Sequence, residues 1–272
     1  MNRDPAFPVP LQATSGSKMK PLSCLAVAVL LFGFQLGTAS VGLAQTGSAG
    51  AAGPRPETGF ESLFDGRDLT GWDGQPGLWS VEKGAIVGRT SPQAPLKVNT
   101  FLIWTNGTVA DFELRCDYRV VPLNAEGRAN SGIQYRSRVL DPTQRVVGGY
   151  QADIEAGTNY TGILYEERMT RGIMALRGEK VLWTAEGRKK VTGSVGTARE
   201  IQAGIRQGDW NEYVIIARGN HLQHFVNGRQ TVDVTDECEA KAASEGVLAL
   251  QLHVGMPMEV SFRNIRLRRF GP

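Results

Sequence analysis

The sequence predicts an all-β sandwich, and three observations carry that prediction. From Phe60 to Phe270 apolar residues recur with period two in short runs. Gly, Asn, Asp and Pro separate those runs, and no long stretch carries a helical period. Short alternating strands with turn residues between them are the pattern of a two-sheet domain. The chain has 272 residues and no internal repeat, enough for one sizeable β domain once its N-terminal segment is set aside.

That first segment reads as an export signal. Lys18 and Lys20 precede an apolar run from Leu22 to Leu36, which is short for a membrane span and interrupted by Gly33. Gly42-Leu43-Ala44 offers small residues for cleavage before Gln45. Met19 is read as the initiator, since residues 1–17 add a polar extension that signals seldom carry. Cys24 stands at the start of the apolar run, the wrong end for a lipidated cysteine. Cleavage would put the mature protein in the periplasm or outside the cell with no stable membrane anchor; an uncleaved anchor is the competing reading. Residues 45–57 are mostly Gly, Ala, Pro, Ser and Thr with no apolar period, a flexible tether, and the domain occupies 58–272.

Loss of residues 1–44 removes Arg3, Lys18, Lys20 and Asp4 and takes the formal charge from +3 to about +1. Signs are interspersed, which argues against a nucleic-acid partner. The cluster Arg263, Arg266, Arg268 and Arg269 reads as solvated strand charge. Cys116 and Cys238 remain, too few for a disulfide scaffold, and they are either buried thiols or a single bridge.

The strands follow in order. In 111–121, Phe112, Leu114, Cys116, Tyr118 and Val120 share one face and charged residues the other. In 130–137, Ile133 and Tyr135 oppose Gln134 and Arg136. In 149–155, Tyr150, Ala152 and Ile154 oppose Gln151, Asp153 and Glu155. Residues 168–208 are the hardest to read; a hairpin pairing Ile173–Leu176 with Val181–Trp183 is expected there, beside a surface loop. Gly219-Asn220 and Asn227-Gly228 mark hairpin turns. In 247–254, Leu248, Leu250 and Leu252 oppose Ala249, Gln251 and His253. The last strand changes parity between Phe262 and Ile265, which requires a bulge near Arg263-Asn264.

A polar sheet face is by default a solvated face. Here Gln151, Asp153 and Glu155 stand in a row near Tyr135, Tyr150, Tyr160 and Tyr165. Amides and carboxylates bridge sugar hydroxyls while aromatic rings cover C–H faces, so the mixture suits a carbohydrate. Carboxylates two residues apart on a strand lie roughly 6.5–7 Å apart at Cα, a separation glycosidases can use. His253 keeps the parity of Gln251 and is either a structural histidine or a proton-transfer group. His224 has core parity and His221 sits at a turn. No spacing forms a closed zinc site, a phosphate-binding glycine loop or a Gly-x-Ser-x-Gly elbow.

Larger motifs then accumulate. Leu63-Phe64-Asp65-Gly66 through Gly71-Trp72, Asn130-Ser131-Gly132-Ile133-Gln134-Tyr135-Arg136, Gly149-Tyr150-Gln151-Ala152-Asp153-Ile154, Gly162-Ile163-Leu164-Tyr165-Glu166-Glu167 and Leu250-Gln251-Leu252-His253 occur in that order. Together they resemble the 3-keto-disaccharide hydrolase family over nearly the whole domain. The resemblance implies a concanavalin A-like jelly-roll sandwich of two curved antiparallel sheets and cleavage of glycosides oxidised at C3. A C3 ketone acidifies the C2 proton, so a base removes it, the C1 oxygen leaves, and water adds. By motif position the resemblance implies Asp153 or Glu167 as base and His253 or the other carboxylate as acid. Arg136 or a divalent metal ion would stabilise the enolate, and no cofactor is otherwise required. Asn130, Arg136, Tyr150, Gln151, Tyr165 and Gln251 are the implied substrate-binding set. Two rivals stand beside this reading. One is a non-catalytic carbohydrate-binding module of the same fold. The other is a retaining glucanase with a Glu-x-Asp-x-x-Glu strand, from which Gln151 departs, because an amide cannot serve as nucleophile.

Overall fold

A computed structural model describes residues 58–271. The signal expected at 1–44 and the tether at 45–57 lie outside them. In chain order the elements are β1 (Glu61–Ser62), β2 (Trp72–Asp73), β3 (Trp79–Glu82), β4 (Ala85–Arg89), β5 (Thr100–Trp104), β6 (Phe112–Pro122), β7 (Asn130–Asp141), β8 (Val146–Glu155) and β9 (Leu164–Glu167). Then follow β10 (Gly172–Ala175), β11 (Glu179–Trp183), β12 (Lys189–Ser194), α1 (Ala198–Ala203), β13 (Asn211–Arg218), β14 (His221–Val226), β15 (Arg229–Asp236), β16 (Val247–Leu252) and β17 (Met258–Arg269).

The strands form a two-sheet jelly roll of concanavalin A-like type. The larger sheet runs β12-β11-β15-β14-β13-β6-β17-β4-β3, with β1 beside β17. The smaller runs β10-β9-β8-β7-β16-β5-β2. Pairing is antiparallel except between β11 and β15. The alternating residues of β6, Phe112 to Val120, are all buried in the main core with Ile133, Tyr135, Leu250 and Leu252 from the smaller sheet. Cys116 and Cys238 are both buried free thiols. His224 lies at the centre, between the hydroxyls of Tyr135 at 2.9 Å and Tyr213 at 3.3 Å.

Local chemistry explains the connections. Asn227 and Gly228 both have positive φ, 49° and 76°, as a type I′ turn requires. At Gly219-Asn220 only the glycine does, so that turn is of another type. Asn264 at φ 51° marks the bulge in β17, where the register with β6 shifts between Arg263 and Arg266. The arginines of β17 pair with Asp117, Glu212, Glu113 and Glu61. Arg263 also stacks on Trp210, 4.0 Å from the ring centroid. Every one of these cations has a local partner.

The hairpin expected between Ile173–Leu176 and Val181–Trp183 does not form. β10 pairs with β9 in the smaller sheet, whereas β11 pairs with β12 and β15 in the larger. Gly178, at φ 95°, turns the chain between sheets, and a Cβ there would stand 2.5 Å from the Gly196 carbonyl. The short helix α1 is set by a capping box between Thr197 and Glu200.

Candidate functional site

The side of the smaller sheet away from the main core carries the polar residues. Register puts them together: Gln134 opposes Gln151, and Gly132 opposes Asp153. Gln151 in turn opposes Tyr165, and Gly149 opposes Glu167. Gln251 joins from β16, whose Ala249 opposes Gln134. The tip of the β7–β8 hairpin is tied to this side, because Phe101 N–H donates to the Arg145 carbonyl and Thr100 Oγ1 to that of Gln144. Phe101, Ile103, Val147 and Ala249 form a small apolar cluster beside the polar groups.

Those groups are buried yet hydrogen-bonded to one another, as buried polar groups must be. Gln151 Oε1 accepts from Gln134 Nε2 at 2.7 Å and from Gln251 Nε2 at 3.1 Å. Gln151 Nε2 is therefore the donor end, and it points to Asp153 Oδ1 at 3.4 Å. The same Oδ1 accepts from Asn130 Nδ2 at 3.3 Å and from Ile154 N–H at 3.1 Å. Glu167 receives Asn99 Nδ2 at 3.0 Å on one oxygen and Gln251 Nε2 at 3.4 Å on the other. The Arg168 guanidinium is 3.6 Å from the first oxygen. Donors on both oxygens suit an ionised carboxylate.

Asp153 is different. Burial is the main cause that pushes its carboxyl well above the usual carboxylate range, and the charges of Glu155 and Glu167 add to it. With three donors on Oδ1, the proton of the neutral acid belongs on Oδ2. One face thus carries a proton-holding acid and a donor-fixed carboxylate, an arrangement suited to paired acid and base work.

His253 follows β16 on the same side. Its ring Nδ1 meets the Val254 carbonyl, which places the lone pair of the neutral ring on Nε2. Asn99 ties this segment to Glu167, since its Oδ1 accepts the Val254 N–H at 2.9 Å. Tyr165 and Tyr160 are both half-buried at this face. Burial, with the charge of Glu155, raises the Tyr160 phenol above its ordinary value. Glu155 is structural: its Oε2 accepts the N–H groups of Asn159 and Tyr160, fixing the turn that carries Tyr160.

Of the residues singled out in sequence, Asp153, Glu167, His253, Asn130, Gln151, Tyr165 and Gln251 are brought together. Tyr150 and Arg136 are not. Tyr150 has core parity, and its hydroxyl donates to Asp236 at 2.5 Å. Arg136 sits at a bulge in β7 with φ 46°. Its guanidinium donates to the carbonyls of Ala110 and Gly219 and to Asp111. It clamps loops at the sandwich end and cannot reach an enolate on the polar face. Sequence reasoning missed Asn99, an amide placed just before an apolar strand, and Arg168.

A metal ion finds little support in these residues. Among the described residues no group of three His, Cys, Asp or Glu side chains could hold one, and both oxygens of Glu167 and Oδ1 of Asp153 already accept from side-chain amides.

Comparison with known proteins supplies the last observation. The family described as 3-keto-alpha-glucoside-1,2-lyase-like domain matches residues 59–268. A crystal structure of a "putative glycosyl hydrolase" from Parabacteroides distasonis superposes with TM-score 0.51 at 17% identity, covering 78% of this chain and 99% of that one. A second from the same organism gives 0.49 at 19%, over 78% and 94%. The carbohydrate-binding module CBM66 from Bacillus subtilis gives 0.47 at 17%, over 73% and 95%. None of the curated proteins matches.

Proposed function

The chain belongs to the 3-keto-alpha-glucoside-1,2-lyase-like family, and from that premise we propose that it is an exported carbohydrate-active enzyme cleaving 3-keto-glycosides. The observation that carries the reading is the pairing of Asp153 with Glu167 on one polar face. Glu167 takes the C2 proton, and the electron pair moves into the C3 carbonyl as an enolate. Collapse of the enolate expels the C1 oxygen, which receives the proton of Asp153. The product is a 2-hydroxy-3-keto-glycal and a free alcohol. Water adding at C1, with a proton returned to C2, completes a net hydrolysis, and the Nε2 lone pair of His253 is the group to draw that water's proton. Arg168, beside Glu167, takes the enolate-stabilising role first expected of Arg136. Tyr160 and Tyr165 offer rings to the sugar's C–H faces.

Purified chain incubated with a 3-keto-disaccharide should release glucose, with and without chelator, and Glu167→Gln should abolish release. The half-exposed tyrosines would serve a binding module equally. Oligosaccharide binding without release from any 3-keto-glycoside would decide for the module. A glucanase is disfavoured, since Gln151 stands where such an enzyme needs its nucleophile.

A further inference from the structure

A hollow lies at the end of the sandwich, where its floor residue Ser137 donates to Gln134 of the polar network at 2.7 Å. It has a volume of about 460 Å³ and is enclosed by β7, β8, the turn after β9 and residues 240–245. That size accommodates a small organic molecule. Its floor is polar and buried, since Arg136, Ser137, Tyr150 and Glu166 are each less than a tenth exposed. A polar hollow of this size holds water or a ligand.

The charges around it decide which ligand. On the floor, Arg136 is committed to Asp111 and to carbonyls. Glu166 is neutralised by Arg171, at 2.6 Å, and caps the N–H groups of Thr170 and Arg171. At the mouth, Glu245 accepts the hydroxyl of Thr108. Arg138 and Lys241 are exposed at the same mouth and have no carboxylate partner among the described residues. Arg138 is met by the Met169 sulfur at 3.7 Å. Glu245 keeps its charge, so two cations stand against one carboxylate at the mouth and the balance there is cationic. Thr170 adds a hydroxyl, while Met169, Ala242 and Ala243 present C–H surface.

We propose that this hollow is an accessory site for a sugar acid, a pyranose whose carboxylate sits between Arg138 and Lys241. The two cations meet the carboxylate, the Thr170 hydroxyl meets a ring hydroxyl, and Met169 and the alanines cover a C–H face. The proposal is independent of the chemistry assigned to Asp153 and Glu167.

Calorimetric titration of the full chain with glucuronate tests it, with glucose and acetate as comparisons. Glucuronate should bind at least about tenfold more tightly than either. The double variant Arg138→Gln, Lys241→Gln should lose about tenfold or more in affinity, whereas Glu245→Gln should gain. Both cations are exposed, and a thermal melt establishes that the variant is folded. Asp153→Asn should bind glucuronate as the parent does. The proposal fails if glucuronate does not bind, if glucose or acetate binds equally well, or if the double variant is unaffected. Loss of binding in Asp153→Asn would move the sugar acid to the polar face and overturn it as well.

Discussion

Asn99 holds Glu167 in place: its side-chain amide donates to Glu167 Oε1 at 3.0 Å. Its carbonyl oxygen takes the Val254 N–H at 2.9 Å. One buried amide just before β5 thus joins the proposed base to the segment bearing His253.

Asn99→Ala removes both bonds. A hydrogen bond to a charged group is worth about 1.5–3 kcal/mol, so the variant should lose roughly ten- to a hundredfold in turnover of a 3-keto-disaccharide. Asn99→Asp, which places a second carboxylate beside Glu167, should do no better. Steady-state kinetics check this, and parent-like kcat in both variants would remove Asn99 from the machinery.

Asp153 sets a trade between activity and stability. Its folded pKa is raised above 3.8, so the native state holds the proton more tightly than the unfolded chain. Stability from this group is therefore greatest below pH 3.8 and is lost as pH rises through the folded pKa. Asp153→Asn keeps the shape and removes the penalty. The variant should be inactive yet more stable than the parent at pH 7, by about 1 kcal/mol or roughly 2–4 °C in Tm. The gain should vanish toward pH 4. Melting curves at two pH values decide, and a destabilised variant at neutral pH would contradict a buried, proton-holding acid.

His224 shows the opposite sign. Burial lowers its pKa from 6.5 to about 3, so the unfolded chain binds the extra proton between those values. Its contribution is present above pH 6.5 and is lost as pH falls toward 3. At about 1.4 kcal/mol per pH unit, the parent should lose about 2 kcal/mol of stability between pH 6.5 and 5 from this residue. Urea unfolding across that range measures the slope, and His224→Phe should flatten it. An unchanged slope in His224→Phe would show that other groups govern the acid limb.

The parity of β7, β8 and β16 was legible because period two assigns each side chain to a face without knowledge of the neighbouring strand. Gln151, Asp153 and Gln251 were found that way. Tyr150 shows where motif adjacency misleads: it neighbours Gln151 in sequence and therefore points the other way. Arg136 was beyond parity altogether, because a bulge at positive φ re-aims its side chain and no residue type announces the bulge. Asn99 is remote in sequence from every carboxylate it serves, and only cross-strand register brings it close. The parallel pairing of β11 with β15 is likewise non-local, and a hairpin was the nearer guess.

Gly132 tests whether the amide network itself matters. It opposes Asp153 in register, and a Cβ added there would stand 2.6 Å from the side chain of Gln151. Its backbone is not in the left-handed region, so Gly132→Ala carries no conformational strain and its effect comes from the collision alone. Gln151 must then swing away from Gln134, Gln251 and Asp153, because its Cγ and Cδ are the atoms struck. Overpacking of this kind costs about 1–3 kcal/mol, and Asp153 loses its Gln151 donor at the same time. The expected result is a fall in Tm of several degrees with at least a tenfold drop in kcat. Gly132→Ala combined with Gln151→Ala, which makes room for the methyl but strips Gln134 and Gln251 of their acceptor, should recover only part of the Tm and none of the kcat. Recovery of both would show that the methyl acts by crowding and that Gln151 is dispensable to the reaction.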